Sequence, residues 1–224
     1  RQLGAALLAC PRLHRSDQCT ADAMPAVTGV DVPGLEEADR RGVGSVDVIV
    51  PQRCFGHADR PAGTPGPLVA LHFQEWWIRY QAKLPALSIS PIGAEESTPA
   101  PGVLDAIAEA DLVLIAPSNP VVSVGPILAV PGIADALRAT AAPVVGVSPI
   151  IGAAPVRGHA DKCLEAVGVP VSAQGVGRHY GARSDGGVLD TFLIAPDDRA
   201  TVPGVTVAGR PLLMTDPEHT AEMV

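Results

Sequence analysis

The sequence predicts an α/β fold built on a mostly parallel sheet with helices on both faces. Three stretches carry the prediction: Leu112–Ala116, Pro143–Ser148 and Val188–Ala195. The first two are short apolar runs rich in branched residues and without polar alternation, which is how strands buried on both faces read. Helical segments separate the three, and strand–helix alternation at this spacing implies crossover units that bring each strand back parallel to the last.

Composition narrows the function. The 224 residues suffice for a real core in one or two domains, and 47% hydrophobic content is that of a globular protein. A net charge of −8 disfavours nonspecific binding to nucleic acid or to an anionic membrane surface. No apolar run approaches the roughly 20 residues of a membrane helix, and Leu3–Ala9 is too short and badly flanked for a signal peptide. Cys10, Cys19, Cys54 and Cys163 have no metal-ligand spacing, so the plain reading is a reduced, cytoplasmic protein. The chain begins with Arg1 and stops at Val224 inside an apparent helix start, DPEHTAEMV, as a fragment would.

Residues 1–68 are expected to be poorly ordered or unlike a native domain. They hold three of the four cysteines and one aromatic, Phe55. Gly4–Ala9 suits a helix and Val46–Val50 a strand, whereas Gly56–Pro67 has linker composition. His72–Tyr80, HFQEWWIRY, then places four of the seven aromatics together. This is either a hairpin or helix start burying two tryptophans, or a wall for a flat ring system. In the second reading Trp76 or Tyr80 stacks and His72 or Glu75 bonds the ring's edge.

Pro99–Gly102 opens a helix running to Ala110, with Val103, Leu104 and Ile107 on one face. The strand Leu112–Ala116 follows. Ile127–Val130 and Ile133–Ala139 are helical pieces broken at Pro131-Gly132, and Pro149–Gly158 is a loop carrying Arg157. Gly158–Val167 reads as a helix ended by Gly168, and Ser172–Tyr180 as another.

The loop after Leu112–Ala116 attracts the functional reading, because ligands of open α/β sheets bind beyond the carboxyl ends of the strands. Ser118, Asn119 and Ser123 offer hydroxyl, amide and backbone donors there, and Gly125 allows close approach. Such groups suit a phosphate, or a nucleotide's sugar and base edges. Gly175-Val176-Gly177-Arg178-His179-Tyr180-Gly181 imitates a dinucleotide fingerprint, but its third glycine is one residue late and no strand precedes it. Arg178, His179 and Arg183 read as solvated charge and Asp197-Asp198 as a turn, while Asp190, within a strand pattern, suits a structural role as well as a functional one. The residues alone lead to a nucleotide- or phosphate-handling domain.

The residues Ala116–Ile133, His72–Tyr80, Val147–Gly152 and Val176–Phe192 closely resemble the signature of the 2-phospho-L-lactate transferase/phosphoenolpyruvyl transferase family (CofD/FbiA). The resemblance covers about residues 70–224. It implies a Rossmann-like domain of which 69–224 is the C-terminal two-thirds, incomplete at the N-terminus. The implied activity moves a phosphoenolpyruvyl or 2-phospholactyl group from a guanosine-diphosphate-linked donor to the deazaflavin Fo. GMP is released in a step of coenzyme F-420 biosynthesis that requires Mg²⁺. Carried over residue by residue, Ser118, Asn119, Pro120, Ser123, Val124 and Gly125 hold the guanosine donor, and His72, Glu75 and Trp76 lie towards the deazaflavin.

Two departures accompany the resemblance. The family's Gly-rich phosphate loop, and the aspartates that follow it for Mg²⁺ and Fo, have no counterpart in residues 1–70. No catalytic or metal residue is therefore carried over, and the chain as it stands is expected not to turn over. The family's Gly-Gly-Lys here reads Gly152-Ala153-Ala154, leaving Arg157 as the candidate phosphate-facing cation. The alternative is a non-catalytic, nucleotide-sugar-binding regulator of the related branch. The choice between enolpyruvyl and lactyl donors, and homodimer formation, stay open.

Overall fold

The computed structural model describes residues 45–51 and 68–221, which fall into two units. The first unit contains the described residues up to Gly93, and the second runs from Ala94.

In the first unit, β1 (Ser45–Pro51) is the central strand of an antiparallel sheet, flanked by β2 (Leu68–His72) and β3 (Ser88–Ile92). Val48 stands opposite both Leu71 and Ile89, so these three side chains share one face, and all three are buried. The strand expected at Val46–Val50 thus exists, inside a stretch expected to be loose. The rest of residues 1–67 lies outside the described residues. The division between units falls after Gly93 and not at 68/69, because β2 and β3 both pair with β1.

β2 leads into a π-helical turn, Glu75–Arg79. Trp76 is fully buried there, and its indole N–H donates to the Leu84 carbonyl at 2.9 Å. The turn closes through Gln81 and Ala82, both left-handed with φ of 53°, where the Ala82 N–H reaches the Trp76 carbonyl at 3.0 Å. Two consecutive non-glycine residues in that region are strained, and the buried tryptophan on which they close holds them there.

The second unit contains the predicted parallel sheet. Its order is β4 (Val113–Ile115), β5 (Val144–Val147), β8 (Thr191–Ile194) and β9 (Thr206–Gly209), every pair parallel. The core contains Val113, Ile115, Val144, Leu164, Leu189 and Phe192, all buried. Gly146 keeps β5 against this layer: a Cβ there would come within 2.8 Å of Leu189 and 3.1 Å of Phe192.

The intervening helices follow the expected order with tighter bounds. Val103–Ala108 starts after left-handed Gly102, and Ile133–Ala139 starts after left-handed Gly132, where the break was expected. Thr140, buried beyond that helix, donates its hydroxyl to the Ile107 carbonyl and accepts the Ala142 N–H, tying one helix end to the start of β5. Ala160–Ala166 ends at left-handed Gly168. Ala173–Tyr180 is capped by Ser172, whose hydroxyl accepts the Gly175 N–H at 3.0 Å.

The segment Pro149–Gly158, expected as plain loop, contains a minimal hairpin of β6 (Ile150–Ile151) and β7 (Ala154–Pro155). No single helix among the described residues is long and apolar enough to cross a membrane. Pro120–Leu128 and Ile133–Ala139 together have the length and composition of a span, but they are bent by 81°. Ile133 and Leu137 of the second piece are buried against the protein's own core.

Candidate functional site: the turn beyond strand β4

The loop leaving β4 becomes a π-helical turn at Pro120–Val124 and then a short helix, Gly125–Leu128. Asn119 builds this turn. Its side-chain Oδ1 accepts the N–H groups of Val121 at 2.9 Å and Val122 at 3.2 Å. Its main-chain carbonyl accepts those of Ser123 at 3.1 Å and Val124 at 3.0 Å. Pro120, at the first helical position, has no N–H to satisfy. One residue therefore terminates every backbone donor of the turn's first four amides.

That bookkeeping corrects an expectation. The turn was expected to present backbone donors to a phosphate, and in this structure those donors are spent on Asn119 itself. Gly125 likewise serves the turn: a Cβ there would meet the Pro120 carbonyl at 3.1 Å. Pro120, Val121 and Val124 are buried and anchor the turn, whereas Ser118 and Ser123 are exposed. Among the described residues the hydroxyls of Ser118 and Ser123 take part in no hydrogen bond. Of the six residues carried over for the donor nucleotide, these two offer open polar groups.

The neighbouring carboxyl ends are closed by their own side chains. Buried Ser148, after β5, donates to the Ile150 carbonyl at 2.8 Å and accepts the Ile150 N–H at 3.2 Å. Asp198, after β8, accepts the Gly152 N–H with both carboxylate oxygens, at 2.9 and 3.1 Å. Asp198 thus ties the β6–β7 hairpin to the loop after β8, consistent with Asp197-Asp198 as a turn. Arg157, the candidate cation, is exposed on the segment after the hairpin and makes no ion pair among the described residues.

Helix Ala160–Ala166 packs against the π-turn. Cys163 on it is fully buried, and burial pushes its thiol up to about 11, against a smaller opposing pull from the adjacent Asn119 side chain. In the sequence Cys163 was weighed only for metal-ligand spacing, which the four cysteines lack, and its burial left no signal there.

The aromatic segment is resolved unevenly in the first unit. His72 Nδ1 accepts the Gln74 N–H at 3.2 Å, and Glu75 pairs with Arg79 at 3.0 Å. The Arg79 guanidinium lies 5.4 Å from the centre of the Tyr80 ring. Trp76 was expected to stack on a ring system or to fill a core, and the structure places it in the core. Its neighbour Trp77 is 37% exposed and Ile78 is 71% exposed. The two π-helical turns fall in the two segments singled out from sequence, and single π-turns are enriched at functional sites.

Two sequence readings change. Arg183, expected as solvated charge, is half-buried and pairs with Asp190 at 2.7 Å while donating to the carbonyls of Ala142 and Thr140. The glycines of the fingerprint imitation serve packing: a Cβ at Gly175 would overlap the Pro170 carbonyl, and one at Gly177 would meet Val202 and Phe192. As for Mg²⁺, no group of three or more His, Cys, Asp or Glu among the described residues is placed to hold a metal ion. The described residues therefore do not fit a metal site.

Comparison with known proteins gives the chain its relatives. Residues 56–206 match the family described as 2-phospho-L-lactate transferase CofD. A phosphoenolpyruvate transferase from Mycobacterium sp. (strain KMS) is 59% identical over 155 residues, covering 69% of this chain and 47% of the relative. One from Nocardia farcinica (strain IFM 10152) is 59% identical over 160 residues, covering 71% and 48%. The chain thus spans about half the length of the curated relatives it matches. Among solved structures, a UPF0052 family protein from Bacillus halodurans aligns with a TM-score of 0.38 and 17% identity, over 74% of this chain and 51% of that one. With a family match across 56–206 and relatives well above half identical, the chain belongs to the 2-phospho-L-lactate transferase CofD family.

Proposed function

We propose that the chain belongs to a cytoplasmic transferase that moves a phosphoenolpyruvyl or 2-phospholactyl group from a guanosine-diphosphate-linked donor to the deazaflavin Fo. In that reaction the terminal ribityl hydroxyl oxygen bonds to the phosphorus bearing the enolpyruvyl or lactyl group. The bond from that phosphorus to the GMP oxygen breaks, and the hydroxyl proton passes to a base. Positioning and charge neutralisation supply most of the catalysis in such transfers.

The observation that carries the reading is the Asn119-capped turn at the carboxyl edge of the parallel sheet, inside the family-matched region. With its backbone donors internally satisfied, the turn suits the neutral, hydroxyl-rich nucleoside better than the diphosphate. Ser118 and Ser123 are the groups to engage it. Trp77 and Ile78 add exposed apolar surface in the aromatic segment, which suits the flat deazaflavin.

The test is calorimetry of GDP against the 224-residue chain. GDP binds, and the Ser118→Ala, Ser123→Ala double variant weakens it about tenfold, as two hydroxyl hydrogen bonds together are worth. No GDP binding by the wild-type chain refutes the reading. Preference for a uridine-diphosphate sugar over GDP favours the regulator.

A further inference from the structure

We propose that Asp198 is a positioning residue for Arg157, its carboxylate clamping the β6–β7 hairpin so that the guanidinium is presented to the diphosphate of a bound nucleotide. The charge pattern singles out Arg157. Of the Lys and Arg residues from Ala94 onward, Arg138, Lys162 and Arg183 pair with carboxylates. Arg178, Arg199 and Arg210 donate to main-chain carbonyls. Arg157, which is exposed, makes no such bond among the described residues. It lies two residues beyond β7, in the short link to helix Ala160–Ala166, and that helix packs on both β7 and the Asn119 turn. Because the turn's own amides are satisfied internally, a diphosphate beside it needs a cation from outside the turn.

The clamp is itself anchored. The loop after β8 is fastened to helix Ala173–Tyr180 at Thr201, whose N–H reaches Gln174 Oε1 at 2.9 Å and whose carbonyl accepts Arg178 Nε at 3.1 Å. Three residues earlier the Asp198 N–H closes a turn on the Ala195 carbonyl at 3.0 Å, and its carboxylate takes the Gly152 N–H at 2.9 and 3.1 Å. Ser148 fixes the base of the hairpin through Ile150, so Asp198 fixes its tip. At Gly152 φ is +65° and an added Cβ would meet nothing within 4 Å, so hydrogen bonding rather than packing locates that tip. The identity of the ligand as a guanosine nucleotide rests on the function proposed above. The clamp does not.

Calorimetry on the 224-residue chain with GDP and, separately, with inorganic pyrophosphate tests it, alongside NMR hydrogen exchange at Ile150 referenced to the amides of β5. Asp198→Asn and Asp198→Ala remove the same charge, but only asparagine keeps an oxygen for the Gly152 N–H. Their difference therefore isolates the clamp from electrostatics. We expect Arg157→Gln to weaken GDP about tenfold, as loss of a hydrogen bond to a charged group does. Asp198→Ala weakens it by a similar factor, and Asp198→Asn stays within about threefold of wild type. The Arg157→Gln, Asp198→Ala pair is no weaker than either variant alone, because both act through one guanidinium, whereas independent effects would multiply to about a hundredfold. Exchange at Ile150 speeds about tenfold in the alanine variant and not in the asparagine variant. Asp198→Ala binding as tightly as wild type, or more tightly, overturns the proposal, as do multiplying effects or unchanged exchange at Ile150. Arg157→Gln alters only an exposed side chain and decides the matter if Asp198→Ala does not fold: unchanged affinity overturns it too. Wild type that binds pyrophosphate but not GDP removes the nucleotide reading and leaves this one to the same variants on pyrophosphate. Binding of neither overturns both.

Discussion

Arg183 Nη1 lies 2.7 Å from Asp190 Oδ2, and that same carboxylate oxygen accepts the Val144 N–H at 2.8 Å. The guanidinium also donates to the carbonyls of Ala142 at 2.8 Å, Thr140 at 2.6 Å and Arg138 at 3.2 Å. One planar fork thus gathers the end of helix Ile133–Ala139 and the amino ends of β5 and β8. A lysine has the charge but not the fork. Arg183→Lys should therefore lose about 1–3 kcal/mol in urea unfolding. Because this cluster sits at the amino edge of the sheet, opposite the β4 turn, GDP affinity of the folded variant should stay at the wild-type level. A stability equal to wild type would show that charge alone suffices.

Asn119 is the second case. A direct donor to the nucleotide and a cap of the turn make different demands on a substitution. Asn119→Asp keeps the oxygen acceptors for Val121 and Val122, whereas Asn119→Ala removes them. Loss of a cap of this type costs about 0.5–2 kcal/mol. We expect Asn119→Ala to lower the thermal midpoint and weaken GDP binding together, with Asn119→Asp close to wild type in stability. An alanine variant of unchanged stability that has lost only GDP affinity would instead make the amide a ligand contact.

How far the sequence reaches is visible in these two residues. Strands β4 and β5 were legible because burial on both faces leaves an unbroken apolar signature, and β8 because Phe192–Ile194 continues a strand-like run after the helices. β9 was not, since Thr206–Gly209 is a short, partly exposed edge strand without that signature. The β6–β7 hairpin was invisible for the same reason of length. The loop after β4 was legible as a place, because topology puts ligands there. The use made of Asn119 was not legible, because an amide two residues before a backbone N–H reads equally well as a donor to a ligand and as a cap. Arg183 was misread because its partners are carbonyls from residues 138–142, distant in sequence.

Tyr180 gives a prediction with a pH dependence. Its phenol is buried with no hydrogen-bond partner, edge-on to Phe192, and burial raises its ionisation above the usual tyrosine range. An unpaired buried hydroxyl costs about 1–3 kcal/mol, so Tyr180→Phe should be neutral or stabilising at pH 7. A group whose folded pKa is raised gives stability that is present below the unfolded value and lost as pH climbs through and beyond it. Wild type should therefore weaken above about pH 10, where the unfolded tyrosine loses its proton, and Tyr180→Phe should flatten that decline. Urea midpoints between neutral and alkaline pH measure both effects. A phenylalanine variant that is less stable at pH 7 would reveal a hydrogen bond to solvent or ligand.

Trp76 and Trp77 are adjacent in sequence and opposite in circumstance. Trp76 is fully buried, its indole N–H on Leu84 and its ring 5.9 Å from that of Phe73. Trp77 packs on the same Phe73 at 5.3 Å but is 37% exposed. Removing a large buried aromatic typically costs about 3–5 kcal/mol, and here it also orphans a carbonyl, so Trp76→Ala should unfold or severely destabilise the first unit. Trp77→Leu keeps apolar contact with Phe73 and should change stability by less than about 1 kcal/mol. The two variants also divide the fluorescence. In wild type, acrylamide should quench mainly Trp77, and Trp77→Leu should leave a blue-shifted, poorly quenched signal from Trp76 alone. If the deazaflavin docks on this segment, it meets Trp77 first. Fo should then quench the wild-type emission and leave that of Trp77→Leu nearly unchanged. Equal quenching of both proteins would place the deazaflavin elsewhere or deny its binding to this segment, and the aromatic run would then be accounted for by the packing of Phe73 and Trp76.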